Sequence, residues 1–197
     1  ALLAHCEHTL QSEFPAYAVP TVECRDLPGF VAAVRAQPGE AVAKPLAECS
    51  GIGVTFLPPS APEPELAAWW ARFGPAVVQP FQPAIHERGD LRVLVLNRRI
   101  LGSVARLPRP GSRLANLHQG ASARRFDPTP RQLEAVRVVA DALTPRGLTF
   151  LGLDFIGDLL SEINFTSPSA LVQINEVTGG RAEVALVDEL EALRRAR

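Results

Sequence analysis

Asp154, Glu162 and Asn164 are polar residues set inside runs of apolar ones: Leu153, Phe155, Ile156, Leu160, Ile163 and Phe165. A carboxylate among apolar neighbours loses hydration, and that is costly unless a partner restores it. Glu162 and Asn164 are two apart, so they share one face of an extended strand. Asp154 joins that face or leaves it according to the turn at Gly157-Asp158. A three-residue loop, Gly157-Asp158-Leu159, sets Asp154 opposite Glu162. A two-residue loop sets Asp154 opposite Ser161 and turns Glu162 away. The three-residue loop is the expectation. It joins two carboxylates and an amide oxygen, hard ligands suited to one or two Mg²⁺ ions, with Mn²⁺ as an alternative. Mg²⁺ usually arrives with substrate phosphates. The rival reading, an exposed acidic hairpin edge, sits poorly with the apolar neighbours.

Phosphates call for cations and for approachable backbone. Lys+Arg is 20, and Lys44 is the one lysine. A compact ammonium serves a phosphate as a point charge. Lys44 precedes Ser50-Gly51-Ile52-Gly53, where Gly51 and Gly53 would let backbone N–H groups approach phosphate oxygens. The lysine comes before the glycines, so this is not the Walker phosphate loop. A plain hairpin with turn glycines is the alternative. Arg92 and Arg106 lie in apolar strands and need an anion, either internal, such as Asp90, or bound. Gln79-Pro80-Phe81-Gln82 reads as the connection between two lobes. There Pro80 offers a carbonyl and Gln82 an N–H to an adenine ring. These parts together describe an ATP site between lobes. Cys49 has no evident base, and the four histidines show no metal-ligand spacing. His118 is the one in a long loop.

The elements needed to position these groups follow from pattern and punctuation. A helix is expected within residues 1–18, then an extended segment over 19–25 and a helix opening at Leu27. Strands are expected at 41–46 and 52–57, a helix at 65–73 and a strand at 77–81. Strands 91–96 and 100–107 pair through Asn97-Arg98-Arg99. A patternless loop spans about 108–128 and suits a lid. A helix runs over 130–143, with Leu133, Val136, Val139 and Leu143 on one stripe. The Asp154 hairpin follows, then an amphipathic helix from Ala182. This order is α+β.

Totals exclude several classes. Net charge is −1, so no nucleic-acid or anionic-membrane partner is expected. No apolar run reaches the ~18 residues of a membrane span. The start lacks a basic region and a long apolar core, so no signal peptide is expected. Three cysteines without CxxC imply neither zinc nor a disulfide framework, and a cytoplasmic location fits. Met is absent even at position 1, which a fragment and a chain trimmed of its first methionine would both show.

The block Phe150 to Asp158 running into Ser161-Glu162-Ile163-Asn164-Phe165-Thr166-Ser167-Pro168 resembles the ATP-grasp ligases, most closely the bacterial glutathione synthetases. Lys44-Pro45-Leu46, Val78 to Ile85, Gly89 to Val95 and Ala105-Arg106-Leu107-Pro108 resemble further segments of that family. The resemblance covers nearly all 197 residues. It implies an ATP-grasp fold, with two lobes of antiparallel sheet gripping ATP: residues 1–79, the lysine and glycine-loop lobe, and 80–197, the metal and substrate lobe. It implies an ATP-dependent ligase that joins a peptide carboxylate to an amine through an acyl phosphate. Small peptide and amino-acid substrates would be its partners, and a homo-oligomer is allowed. Arg92 and Arg106 take catalytic roles. Lys44, Gly51, Gly53, Gln79, Pro80, Phe81, Gln82 and Asn164 bind nucleotide. Asp154, Glu162 and Asn164 hold Mg²⁺. Arg106, Asn116, Thr166 and Ser167 face substrate. The chain departs from the family in lacking its first domain of about 120 residues and a second ATP-binding lysine. A related ligase with another substrate, or a nucleotide-binding fragment without turnover, are the alternatives.

Overall fold

The computed structural model describes residues 5–115 and 120–195. Two antiparallel sheets organise it. The first contains β1 (Val22–Cys24), β2 (Ala41–Pro45), β3 (Thr55–Leu57) and β4 (Ala76–Pro80) in the order β1-β4-β2-β3. The second contains β5 (Asp90–Leu96), β6 (Arg99–Leu107), β7 (Ser122–Arg124), β8 (Phe150–Ile156) and β9 (Leu159–Asn164) in the order β7-β6-β5-β8-β9. Helices α1 (Leu27–Arg35) and α2 (Glu63–Phe73) cover one face of the first sheet, and α4 (Pro130–Leu143) covers one face of the second.

Alternation builds each sheet. In β2, Ala41 and Ala43 are buried against Phe30, Leu66 and Trp69 of the helices, while Val42 and Lys44 point the other way. Phe30 and Trp69 stack at 4.8 Å, which anchors both helices over the strand. Asp26 starts α1 by accepting from Gly29 N at 2.7 Å, with Pro28 in the first turn. In the second sheet Leu91, Val93, Val95, Leu151, Leu153, Phe155 and Ile163 bury against Val136, Val139 and Leu143 of α4. Thr129 and Gln132 form the capping box that starts α4. Gln132 takes the buried position, also donating to Gly157 O at 2.6 Å, whereas Leu133 is 42% exposed and leaves the expected stripe.

Several elements differ from expectation. Residues 5–18 form no α-helix. A 3₁₀ turn at Leu10–Glu13 leads to Ala18, which bridges Leu160 in parallel, and Val19 N donates to Leu160 O at 2.9 Å. Pro15 and Pro20 interrupt helical hydrogen bonding there. This segment buries Leu10 and Phe14 in the core of the second sheet, so it packs with the lobe that its place in the chain does not suggest. The second strand of the lysine hairpin begins at Thr55, not at Ile52, because Ser50 (φ 56°), Gly51 (φ 79°) and Gly53 (φ 72°) turn the chain first. The 108–128 loop contains β7. Short helices α3 (Ile85–Arg88) and α5 (Leu171–Thr178) also form, and α6 (Ala182–Arg195) follows.

Both hairpins of the second sheet turn in two residues, not three. Leu96 pairs with Arg99 and Ile156 with Leu159. Asn97 (φ 47°) and Arg98 (φ 69°) supply the left-handed conformations that a two-residue turn needs. Each hairpin then carries one extra residue in its second strand, Leu101 in β6 and Ser161 in β9. These bulges shift the register by one. The shift restores what a two-residue turn alone would lose: Asp154 pairs directly with Glu162, and Gly152 with Asn164.

Candidate active site

One face of the second sheet carries two adjoining rungs of charge. Arg92 lies opposite Asp154 on β8, which lies opposite Glu162 on β9. One rung along, Asp90 lies opposite Arg106 on β6. The Asp154 carboxylate accepts from Arg92 Nε at 2.6 Å and Arg92 Nη2 at 2.5 Å, a bidentate pair, and from Arg106 Nη2 at 2.9 Å. Asn164 Nδ2 donates to Asp154 Oδ2 at 3.2 Å, and Glu162 is the direct cross-strand partner of Asp154. Gly152 makes room for this. A Cβ there would come within 3.4 Å of Arg92 Nε and 3.2 Å of Pro168 Cβ.

The cluster is buried and its members perturb one another. Burial raises the Asp154 carboxyl, but the guanidinium groups of Arg106 and Arg92 outweigh it and hold the group below its usual range. Asp90 is pushed up to about 6 by burial, against the pull of Arg106. Burial opposes charge on Arg106, yet Asp154 and Asp90 hold it firmly protonated. Among the described residues, Asp90 Oδ1 and Arg106 Nε have no hydrogen-bond partner. Glu162 is the more accessible carboxylate, with His8 Nδ1 3.9 Å from its Oε2.

The first sheet faces this cluster across a cavity of about 790 Å³. Its walls include Val42, Lys44, Gly51, Phe56, Gln79, Pro80, Phe81 and Gln82 from one side, and Asp90, Arg92, Arg106, Asp154, Glu162 and Asn164 from the other. Thr166 and Ser167 border it, both exposed, and Thr166 N donates to Glu7 Oε1 at 2.7 Å. Lys44 has no ion-pair partner among the described residues. Gln79 is buried, and its amide donates to Thr21 Oγ1 at 2.9 Å and to Ser161 O at 3.2 Å. It therefore ties β4 to the bulge that sets Asp154 opposite Glu162. Gly53 is turned into packing, where a Cβ would meet Pro45 Cγ at 2.7 Å and Phe73 at 2.8 Å, and it does not line the cavity. Asn116, expected to face substrate, and His118 lie outside the described residues.

Composition-level reading overlooked three groups at this cavity. Glu7 and His8 line it from the chain's first turn. Arg113 pairs with Glu40 and lies 4.0 Å from the centre of the Phe56 ring and 5.6 Å from that of Phe81.

The donor set at Asp154, Glu162 and Asn164 fits a hard divalent cation. Three oxygen-bearing side chains share one sheet face, and the two carboxylates are direct cross-strand neighbours. A cation there would compete with Arg92 and Arg106 for Asp154.

Comparison with known proteins identifies the family and the fold. Residues 7–179 match the family described as prokaryotic glutathione synthetase, ATP-grasp domain. The glutathione synthetase of Bordetella parapertussis is 36% identical over 185 residues, covering 91% of this chain and 57% of the relative. That of Bradyrhizobium diazoefficiens is 32% identical over 186 residues, covering 92% and 58%. The chain thus spans under two thirds of the length of these curated relatives. Among solved structures, D-cycloserine synthetase DcsG aligns with a TM-score of 0.68 at 19% identity, covering 93% of this chain and 70% of that one. The D-alanine–D-alanine ligase of Bacillus anthracis complexed with ATP aligns at 0.63 and 10% identity, covering 96% and 66%. At such identity these two show the shared fold.

Proposed function

The chain belongs to the ATP-grasp domain family of prokaryotic glutathione synthetase, and from that premise we propose that it is the nucleotide- and metal-binding part of an ATP-dependent carboxylate–amine ligase. A peptide carboxylate takes the γ-phosphoryl group of ATP, giving ADP and an acyl phosphate. The amine of a second substrate then attacks the acyl carbon, an amide forms, and phosphate leaves. By family, the acid is γ-glutamylcysteine and the amine is glycine. The observation that carries this reading is the facing of Lys44 and the Arg92–Asp154–Glu162 rung across one cavity.

Lys44 neutralises phosphate charge from the first sheet, where it has no ion-pair partner among the described residues. Gln79 to Gln82 border the adenine, with the Pro80 carbonyl and the Gln82 N–H as its polar contacts. Gly51 allows close approach of the loop backbone to phosphate. Asp154, Glu162 and Asn164 would hold Mg²⁺, which supplies charge neutralisation at phosphate oxygens. Arg92 and Arg106 face the same space and stabilise the acyl phosphate and the tetrahedral adduct. Thr166 and Ser167 wall the substrate side. Residues 1–79 and 80–197 are the two gripping lobes, apart from the docked segment before β1.

The test is ADP release by the protein carrying this chain, with and without γ-glutamylcysteine plus glycine. ADP release dependent on both substrates is expected. ADP release without dependence on either excludes the glutathione assignment. A panel of other acids and amines, read by product mass, then separates a related ligase. The chain's partial span of its relatives favours a second reading, a nucleotide-binding portion that turns over only with the rest of its protein. Binding of an ATP analogue without ligation by the isolated chain would select it.

A further inference from the structure

Glu7 and His8 connect the two walls of the cavity directly. Glu7 Oε1 accepts from Phe165 N at 2.6 Å, from Thr166 N at 2.7 Å and from Thr166 Oγ1 at 2.9 Å. These donors follow Asn164 at the exit of β9. A carboxylate oxygen with three donors is a strong anchor, because charge-assisted hydrogen bonds exceed neutral ones. One residue on, His8 Nε2 bonds Glu48 O at 3.0 Å. A carbonyl only accepts, so Nε2 is the donor. Glu48 lies in the loop after β2, on the opposite wall and next to Ser50-Gly51. The two residues therefore span from the end of the Glu162–Asn164 strand to the lysine-side loop.

Phe165, Thr166 and Glu48 all border the cavity, as do Glu7 and His8 themselves. The loop that His8 holds turns through left-handed backbone at Ser50 and Gly51. Such a loop presents N–H groups to an anion only while its position is fixed. Lys44 sits at its root. We propose that Glu7 and His8 are positioning residues for nucleotide phosphates: Glu7 fixes the β9 exit, and His8 holds the 46–53 loop at the spacing where its backbone meets the phosphate chain. The proposal rests on the nucleotide reading above and adds to it a role for the chain's first turn. The adenine contacts of that reading, Gln79 to Gln82, bond neither Glu7 nor His8 directly; Gln79 reaches His8 only through Thr21 and Gln11, so the larger effect is expected on phosphates.

Calorimetry with the non-hydrolysable analogue AMPPNP and Mg²⁺, alongside NMR titration with adenosine, tests this. Glu7→Ala and His8→Ala should each weaken AMPPNP binding about tenfold, the size of one good hydrogen bond. Adenosine binding should change less. Glu7→Gln keeps an acceptor oxygen but loses the charge, and its affinity should fall between those of the unaltered chain and Glu7→Ala. In the ligand-free chain, Glu7→Ala should also speed amide exchange at Phe165 and Thr166. Unaltered AMPPNP affinity in both alanine variants overturns the proposal, as does an equal loss for adenosine and AMPPNP. Unchanged exchange at Phe165 and Thr166 overturns the Glu7 clamp independently of nucleotide. An unaltered chain that binds no AMPPNP overturns the nucleotide reading itself, and so is distinguished from failure of the strut.

Discussion

Lys44 and Arg92 are strand cations facing the same cavity, yet they are held in opposite ways. Lys44 has no ion-pair partner among the described residues, and its cross-strand partner on β4 is the apolar Val77. Arg92 is locked bidentate on Asp154, and Arg106 bridges Asp154 and Asp90. The first wall is prepared for an anion. The second is already neutralised, except for an excess of one carboxylate when Asp90, Asp154 and Glu162 are set against Arg92 and Arg106. An anion and a cation arriving together would suit both walls at once: on the reading proposed above, phosphate would meet Lys44 and the cation the carboxylate excess, which would free the arginines toward substrate. A free phosphate suits only the first wall.

The sharpest break in that contrast is Asp154→Ala. It leaves Arg92 without its partner and Arg106 with Asp90 alone, inside a buried site. Loss of roughly 3–5 kcal/mol in urea unfolding is expected, the cost of stranding a buried charge. A loss below about 1 kcal/mol would mean the arginines find water instead. Lys44→Ala should do the reverse. With no partner to strand, stability should change by at most about 0.5 kcal/mol, while AMPPNP affinity should fall about tenfold or more.

A smaller effect separates the two carboxylates on the second wall. Asp90 has a folded pKa of about 6 against an ordinary 3.8, so the folded state holds its proton more tightly than the unfolded chain. That contribution to stability is complete below about pH 3.8 and is lost as pH rises through about 6. Asp154 is shifted the other way, and its contribution is lost as pH falls below its ordinary value. Asp90→Asn should therefore flatten the stability profile between about pH 4 and 6 and leave the acid limb, where Asp154 titrates, in place. An unaltered slope would assign that range to another group.

The contrast also marks what could be read from the chain. Period-two alternation in β5, β8 and β9 placed Asp154, Glu162 and Asn164 on one face, since core residues such as Val93, Leu153 and Ile163 fix register from the other side. The route to that face was misread. Nothing in the order Leu159-Leu160-Ser161-Glu162 announces a bulge, because the bulge meets a demand from elsewhere: Ser161 O accepts from Gln79 of the other sheet. The same holds for residues 5–8. Their roles come from partners about 40 and 158 residues away, which local pattern cannot encode. Gly53 illustrates the converse. A glycine beside a phosphate-loop candidate looked functional, but its lack of a Cβ serves Pro45 and Phe73.

The central claim is that nucleotide and divalent cation bind this cleft together, through Glu162 and its neighbours on one wall and Lys44 on the other. Calorimetric titration of AMPPNP into the chain, with and without Mg²⁺, tests it most directly, with Glu162→Gln measured in parallel. Affinity should rise at least about tenfold with Mg²⁺ in the unaltered chain, and Glu162→Gln should erase most of that gain, as expected for loss of one charged metal ligand. Affinity that is the same with and without Mg²⁺, or a Mg²⁺ gain that survives intact in Glu162→Gln, would contradict the account.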